Sequence, residues 1–334
     1  MHNNKTPLSI LDLVPICEGY TISDAIKNSI KLAQTAEKMG YKRFWVSEHH
    51  NIIDIASAAT SVILSHIGAK TNNIRLGSGG VMLLNHSPLV IAEQFGTLET
   101  LYPNRIDLGI GRAPGTDYET KKALRCNLSN NEDAFPQILD ELEYFLSKDS
   151  LKGKIKAIPG AGLQLPIYLL GSSTYSAKLA AKKGLGFAFA SHFAPLSMNE
   201  AIKIYRENFK PSKYLDKPYL IICINAIAAT TQEEAEYLAT TELQKFLNLN
   251  KGKNQLVQKP VANMNELWSF HEERMIKEQL RESIWGTPSF VIKKLEELIN
   301  RTKADEIMIN SWIYDAKMRS YSYELIAKEW FKSK

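Results

Sequence analysis

Tyr219-Leu-Ile-Ile-Cys-Ile-Asn-Ala-Ile-Ala-Ala229 is the stretch on which the fold turns. It carries no charge, and its apolar residues follow one another instead of alternating with polar ones. A strand of that kind is buried on both faces, which is the signature of a parallel sheet covered by helices. The whole apolar run, 218–229, is too short to cross a bilayer as a helix. Seven further β-rich runs lie at 8–16, 43–50, 74–84, 106–112, 167–172, 187–193 and 306–313, so the chain offers eight strands in all.

Between the strands lie amphipathic helical stretches. Ser23 is positioned to cap a helix carrying Ile26, Ile30 and Ala33, which stops at Gly40. Ser87-Pro88 and Thr287-Pro288 each place a cap and a first-turn proline ahead of an apolar stripe. A helix over 176–183 follows the fifth strand, and a last helix runs over 319–332. Eight strand–helix units imply an α/β fold, a (β/α)8 TIM barrel forming one domain over 1–334. The competing open, doubly wound sheet would show a glycine fingerprint after its first strand, and 10–19 has none. Two connections, 113–166 and 230–305, are too long for one helix and are read as insertions after strands four and seven. Within the second, 248–263 mixes Gly, Lys and Asn with few apolar anchors and reads as a mobile lid.

The chain has 334 residues with 41 Lys+Arg against 36 Asp+Glu, a net charge of +5 spread along its length. That is too weak and too dispersed for a nucleic-acid partner. Cys17, Cys126 and Cys223 are far apart and form no CxxC, which excludes a disulfide scaffold and a thiolate zinc site and fits a reducing, cytoplasmic setting. Residues 1–7 hold no apolar core for a signal peptide.

Barrel enzymes place their chemistry at the carboxyl ends of the strands. Here those ends carry Glu48-His49-His50, Asn85-His86, Arg112, Gly171-Ser172-Ser173-Thr174, Ser191-His192, Asn225 and Ser311-Trp312. Four of the seven histidines fall among them, more than isolated structural histidines would place at one mouth. Adjacent residues of an extended strand face opposite ways, so His49 and His50 cannot easily share an ion. The first strand has no His-x-His and the eighth carries Ser311 where a barrel hydrolase would have aspartate, so no metal site is expected.

Gly109-Ile-Gly111-Arg112-Ala-Pro114 begins like a dinucleotide fingerprint, but it ends in proline and runs into a turn. Leu170-Gly171-Ser172-Ser173-Thr174 lies where a strand hands over to a helix. It reads equally as a phosphate cradle or as a plain helix cap. Gly77-Ser78-Gly79-Gly80 interrupts a strand, either as a bulge or because a flat ring approaches the backbone where a Cβ would collide.

Four stretches together resemble the bacterial luciferase-like flavin monooxygenases over nearly the full chain. They are Phe44-Trp-Val-Ser-Glu48-His49-His50, Arg75-Leu-Gly-Ser-Gly-Gly-Val-Met-Leu-Leu-Asn-His-Ser-Pro88, Arg105-Ile-Asp-Leu-Gly-Ile-Gly-Arg112-Ala-Pro-Gly-Thr116 and Leu170-Gly-Ser-Ser173. The resemblance implies the eight-stranded barrel and reduced FMN bound at its mouth. It matches Arg112 to the arginine that meets the FMN phosphate. Gly171, Ser172 and Ser173 match the phosphate loop, with Ser176 adding a hydroxyl. Gly79 and Gly80 match a pair joined by a cis peptide beneath the flavin ring, and His49 matches the catalytic base or hydrogen-bond donor. Ser191, ending strand six, joins the candidate cofactor contacts. His86 and His192 have no assigned counterpart, and Gly111 stands where the luciferase α subunit has cysteine, which argues against a long-chain aldehyde substrate and light emission.

The function expected is an FMN-dependent monooxygenase that uses reduced flavin and O2 to oxidise a small organic substrate, with a separate flavin reductase supplying the flavin. The alternatives are a coenzyme F420-dependent oxidoreductase on the same barrel, a non-catalytic FMN-binding protein and, third, a metal-dependent barrel hydrolase. Small residues at Ala58, Ala59, Ser61, Ser65, Gly68 and Ala69 on the helix after strand two, together with the resemblance, imply a homodimer.

Overall fold

A computed structural model describes residues 5–112, 117–124 and 134–332. The first half contains β1 (Leu8–Asp12), α1 (Ile22–Lys38), β2 (Arg43–Val46), α2 (Thr60–Gly68), β3 (Arg75–Ser78), β4 (Val81–Met82), α3 (Pro88–Leu101), β5 (Ile106–Gly111), α4 (Tyr118–Ala123) and α5 (Phe135–Leu146). The second contains β6 (Ile167–Gly171), α6 (Thr174–Lys183), β7 (Gly186–Ala190), α7 (Met198–Glu207), β8 (Leu220–Ala228), α8 (Gln232–Asn250), α9 (Phe270–Gln279), β9 (Ile284–Gly286), α10 (Pro288–Thr302), β10 (Glu306–Asn310) and α11 (Ala316–Trp330).

Strands β1, β2, β3, β5, β6, β7, β8 and β10 pair in parallel in that order. Strand β10 closes the ring by pairing with both β1 and β8, through Ile309↔Ile10 and Ile309↔Ile224. The result is the expected (β/α)8 barrel. All nine residues of β8 are buried, as its unbroken apolar run requires. Phe44 and Val46 pack outward against the helices, whereas Trp45 belongs to a second cluster with Tyr168, Cys223 and Met308. This is the two-residue alternation of a strand with both faces covered.

The lower end of the barrel holds an ionic layer. Arg43 sits 2.7 Å from Asp107 Oδ2 through Nη1 and 2.7 Å from Glu306 Oε1 through Nε. Arg75 takes the other oxygen of Asp107 at 2.6 Å. The guanidinium thus links β2 to β5 and β10 at the amino ends of the strands.

Several local expectations are corrected. The cap of α1 is Thr21, not Ser23, because Asp24 reciprocates with the Thr21 backbone N–H and closes a capping box. Gly40 stops the helix with φ +84°, as read from the sequence. The run 74–84 is not one strand: it breaks at a cis peptide between Gly79 and Gly80, and β4 resumes beyond it. The short strand β9 beside β8 was not foreseen. The stretch 248–263 has a firmer anchor than its composition implied. Val257 is buried, its N–H donates to Ile16 O at 3.0 Å, and its carbonyl accepts from Glu18 N at 2.8 Å. The Pro114-Gly115-Thr116 turn and Cys126 lie outside the described residues. No helix among the described residues is long and apolar enough to cross a membrane.

Candidate active site

The carboxyl ends of the strands bring most of the expected residues to one rim. Strand β2 leads into Ser47-Glu48-His49-His50, and alternation sends His49 one way and Glu48 and His50 the other. His49 is fixed by its neighbours. Its backbone N–H donates to Ser57 O at 3.0 Å, its Nδ1 lies 3.1 Å from Ser47 Oγ, and Ser57 Oγ donates to the Ser47 carbonyl. Burial, with the Lys245 ammonium second, pulls the imidazole down to about 4, so the ring is neutral at pH 7. Lys245, on α8, is itself paired with buried Asp54 at 2.5 Å and lies over the Trp312 ring at 5.4 Å.

His192, beyond β7, is a second neutral imidazole. Burial, followed by the neighbouring His49, depresses it to about 3. Its carbonyl accepts from Asn225 Nδ2 at 2.7 Å. Its Nδ1, and the hydroxyls of Ser191 and Ser311, are buried without a hydrogen-bond partner among the described residues. Unsatisfied polar atoms at a strand-end rim are where a bound ligand would be expected to supply partners. Asn225 continues into a buried network. It accepts from Asn310 Nδ2 at 2.7 Å and reaches Ser283 Oγ at 3.2 Å, and Ser283 donates to Glu242 Oε1 at 2.8 Å. Burial lifts Glu242 to about 7.

Beside β7, β6 hands over to α6 as the sequence indicated, and the helix starts at Thr174, two residues earlier than expected. A Cβ at Gly171 would lie 2.6 Å from Ser176 Cβ, so only glycine lets the strand end close on the first helical turn. Ser173 is the N-cap but makes no side-chain capping bond, which leaves first-turn N–H groups without that partner. Arg112, ending β5, stacks over the Tyr175 ring at 4.1 Å. The carboxylates of Asp107 and Glu48 are engaged by Arg43, Arg75 and Trp45, and by His50 and His86 respectively. A cation, two serines and a helix N-terminus therefore meet at one place, a set that suits a phosphate.

Gly80 is needed by the protein itself, because a Cβ there meets backbone, whereas one on Gly79 first meets the end of a side chain. A Cβ on Gly79 would lie 2.7 Å from Leu11 Cδ1, and one on Gly80 would lie 2.9 Å from the Gly109 carbonyl. The residues that sequence reasoning passed over are Glu48, Asp54, Lys245 and Glu242. The last three lie on connecting segments whose place over the rim no spacing rule gives. Glu48 was quoted within a motif but given no role.

The sequence profile of luciferase-like monooxygenases matches residues 8–306. An Escherichia coli K12 protein described as a luciferase-like monooxygenase is 49% identical over 97% of both chains. A Bacillus subtilis N-acetyl-S-alkylcysteine monooxygenase is 34% identical over 96% of this chain and 97% of its own. Among solved structures, apo-MsnO8 superposes with a TM-score of 0.87 at 34% identity, covering 97% of this chain and 98% of that one. More distant structures share the fold. They include the oxygenating constituent of a Pseudomonas putida 3,6-diketocamphane monooxygenase in complex with FMN (TM-score 0.69, 15% identity) and an F420-dependent secondary alcohol dehydrogenase (0.62, 17%). This chain belongs to the luciferase-like monooxygenase family. It is an oxidoreductase of that family, as its sequence motifs implied.

Proposed function

We propose that the protein is an FMN-dependent monooxygenase that takes up reduced flavin from a separate reductase and, with O2, oxidises a small organic substrate. The observation that carries this reading is the meeting of Arg112 with the uncapped start of α6 behind Gly171, on the same rim as a pair of neutral imidazoles. Arg112, Ser172, Ser173 and the α6 N–H groups would hold the phosphate, with Ser176 packed beneath them. Gly79, Gly80 and Ser191 would face the ring system. When bound, the flavin supplies the electrons and the means of activating oxygen.

The chain's own residues do the rest. His49, neutral and oriented through Nδ1 by Ser47, can accept or donate a proton at Nε2. His192 offers an acceptor at Nδ1. The apolar side chains of α8 and of 251–269 that cluster with Trp312, among them Val257 and Met264, would exclude water from the mouth. The protein is further proposed to be cytoplasmic and homodimeric. The similarity to an N-acetyl-S-alkylcysteine monooxygenase makes small thioethers the first substrates to try.

Anaerobic titration with reduced FMN and, separately, reduced coenzyme F420 tests the cofactor. Saturable FMN binding with F420 much weaker is expected, and the reverse order would sink the reading. Rapid admission of O2 to the FMN complex should then give substrate-dependent product, which a non-catalytic binder would not form.

A further inference from the structure

Glu48, His50 and His86 form a cluster apart from the His49 side of the rim. Their ligating atoms, one from each side chain, all lie within 4.8 Å of one another. The i, i+2 alternation puts Glu48 and His50 on one side of the chain leaving β2. The turn after β4 delivers His86 to the same carboxylate. His86 Nε2 lies 2.8 Å and His50 Nε2 lies 3.0 Å from Glu48 Oε1. The second oxygen is fixed separately by Met82 N–H at 3.1 Å, so the carboxylate is oriented before anything binds.

These spacings are informative. Ligand atoms about 2.0–2.1 Å from one ion lie about 2.9 Å apart at neighbouring octahedral corners and about 3.4 Å apart in a tetrahedron. Both imidazole–carboxylate separations are therefore already close to an edge of a coordination polyhedron. The carboxylate is 1% exposed, while the His50 and His86 side chains are 17% and 28% exposed, so an ion could enter from solvent and keep an open position. Glu48's partners among the described residues are imidazoles, the Asn85 amide and a backbone N–H. A divalent ion would give this buried anion a full counter-charge.

We propose that Glu48, His50 and His86 are the ligands of a divalent cation of the zinc class, bound between the loop after β2 and the turn after β4. Two imidazoles and one carboxylate are a donor set that such ions accept with a water completing the shell. Bound there, the ion would tie together the two segments that flank the Gly79–Gly80 peptide. The inference does not depend on the flavin reading, because the test is made without flavin.

The full-length protein is stripped with chelator, dialysed and titrated calorimetrically with ZnCl2. One zinc per chain is expected to bind saturably. Removing an outer-shell partner of a metal site costs ~10–100-fold in affinity, so His50→Ala and His86→Ala should each lose at least ~100-fold. A His66→Ala/His271→Ala double variant, which removes two exposed imidazoles elsewhere, should bind as the parent does. Co2+ added to the parent should give visible ligand-field absorption that zinc abolishes, a readout that needs no variant to fold. Absence of saturable zinc uptake by the parent overturns the proposal. So does parent-like affinity in either imidazole variant, or loss of binding in the double variant.

Discussion

The guanidinium of Arg112 lies over Tyr175, 4.1 Å from the ring centroid, and so joins the residue after β5 to the first turn of α6. Arginine stacked in this way is pre-oriented, and its planar guanidinium matches phosphate geometry. Arg112→Ala should weaken reduced FMN by ~1.5–3 kcal/mol, the loss of charge-assisted bonds to a phosphate. The rate at saturating flavin should change less. Equilibrium titration of parent and variant decides this, and unchanged affinity would remove the phosphate assignment.

His49→Ala should behave in the opposite way. Its ring touches Ser47 and interacts electrostatically with Lys245 and His50, and no phosphate-binding role is proposed for it. Flavin affinity should hold within a factor of a few, while single-turnover oxidation slows by ~100-fold, a typical loss for a positioned acid–base group. A purely structural histidine would instead lower the melting temperature and leave the rate per folded molecule unaltered.

Glu242 and His192 set opposite pH limits on stability. Glu242 titrates near 7 in the fold against an ordinary 4.5, so the folded state holds its proton more firmly than the unfolded chain. That contribution is complete below about pH 4.5 and is lost as pH rises through 7. His192, near 3 against an ordinary 6.5, is favoured neutral, so its contribution is present above pH 6.5 and is lost as pH falls toward 3. Glu242→Gln mimics the protonated acid. At pH 8 it should stabilise the protein by on the order of 3 kcal/mol relative to parent, and by far less at pH 5. Thermal melts at the two pH values measure the difference, and an equal effect at both would contradict the assignment.

The small residues toward the end of α2 pack within the chain. A Cβ at Gly68 would lie 2.4 Å from Tyr102 Cε2, and Tyr102 Oη donates to Ser65 O at 2.6 Å, so that end of the helix packs within the chain. Val62, 68% exposed on the same helix, is the side chain that the proposed dimer would cover. Sedimentation at micromolar concentration should give twice the chain mass, and Val62→Glu should shift it toward the monomer. A monomeric parent would end the dimer proposal.

The barrel was legible because eight short apolar strand runs alternating with helices admit few closures, and the strand-to-helix turn at Gly171 was legible because the glycine and the serines sit together in sequence. The rest depends on distance in the fold. His50 and His86 are separated by two strands, and only the folded chain shows that both reach Glu48. That alternation parts His49 from His50 was readable, but not that it turns His50 onto the carboxylate that also receives His86. Ser23 looked like a cap because its type fits, but Thr21 has Asp24 three residues on and Ser23 has no such acid. In the 248–263 segment, polar composition hid the one valine that holds it to the chain after β1.

The ionic layer around Arg43 has a bearing on how this chain could change over time. It fixes the relative heights of β2, β5 and β10 from the floor of the barrel, at the opposite end from the rim. Loops can therefore lengthen, shorten or exchange residues above without costing the strands their alignment. New specificities would arise by rewriting the segments 113–166 and 230–305, while a change at Arg43, Asp107 or Glu306 would strand a buried charge and cost ~3–5 kcal/mol. Innovation and constraint are thus assigned to opposite ends of one cylinder.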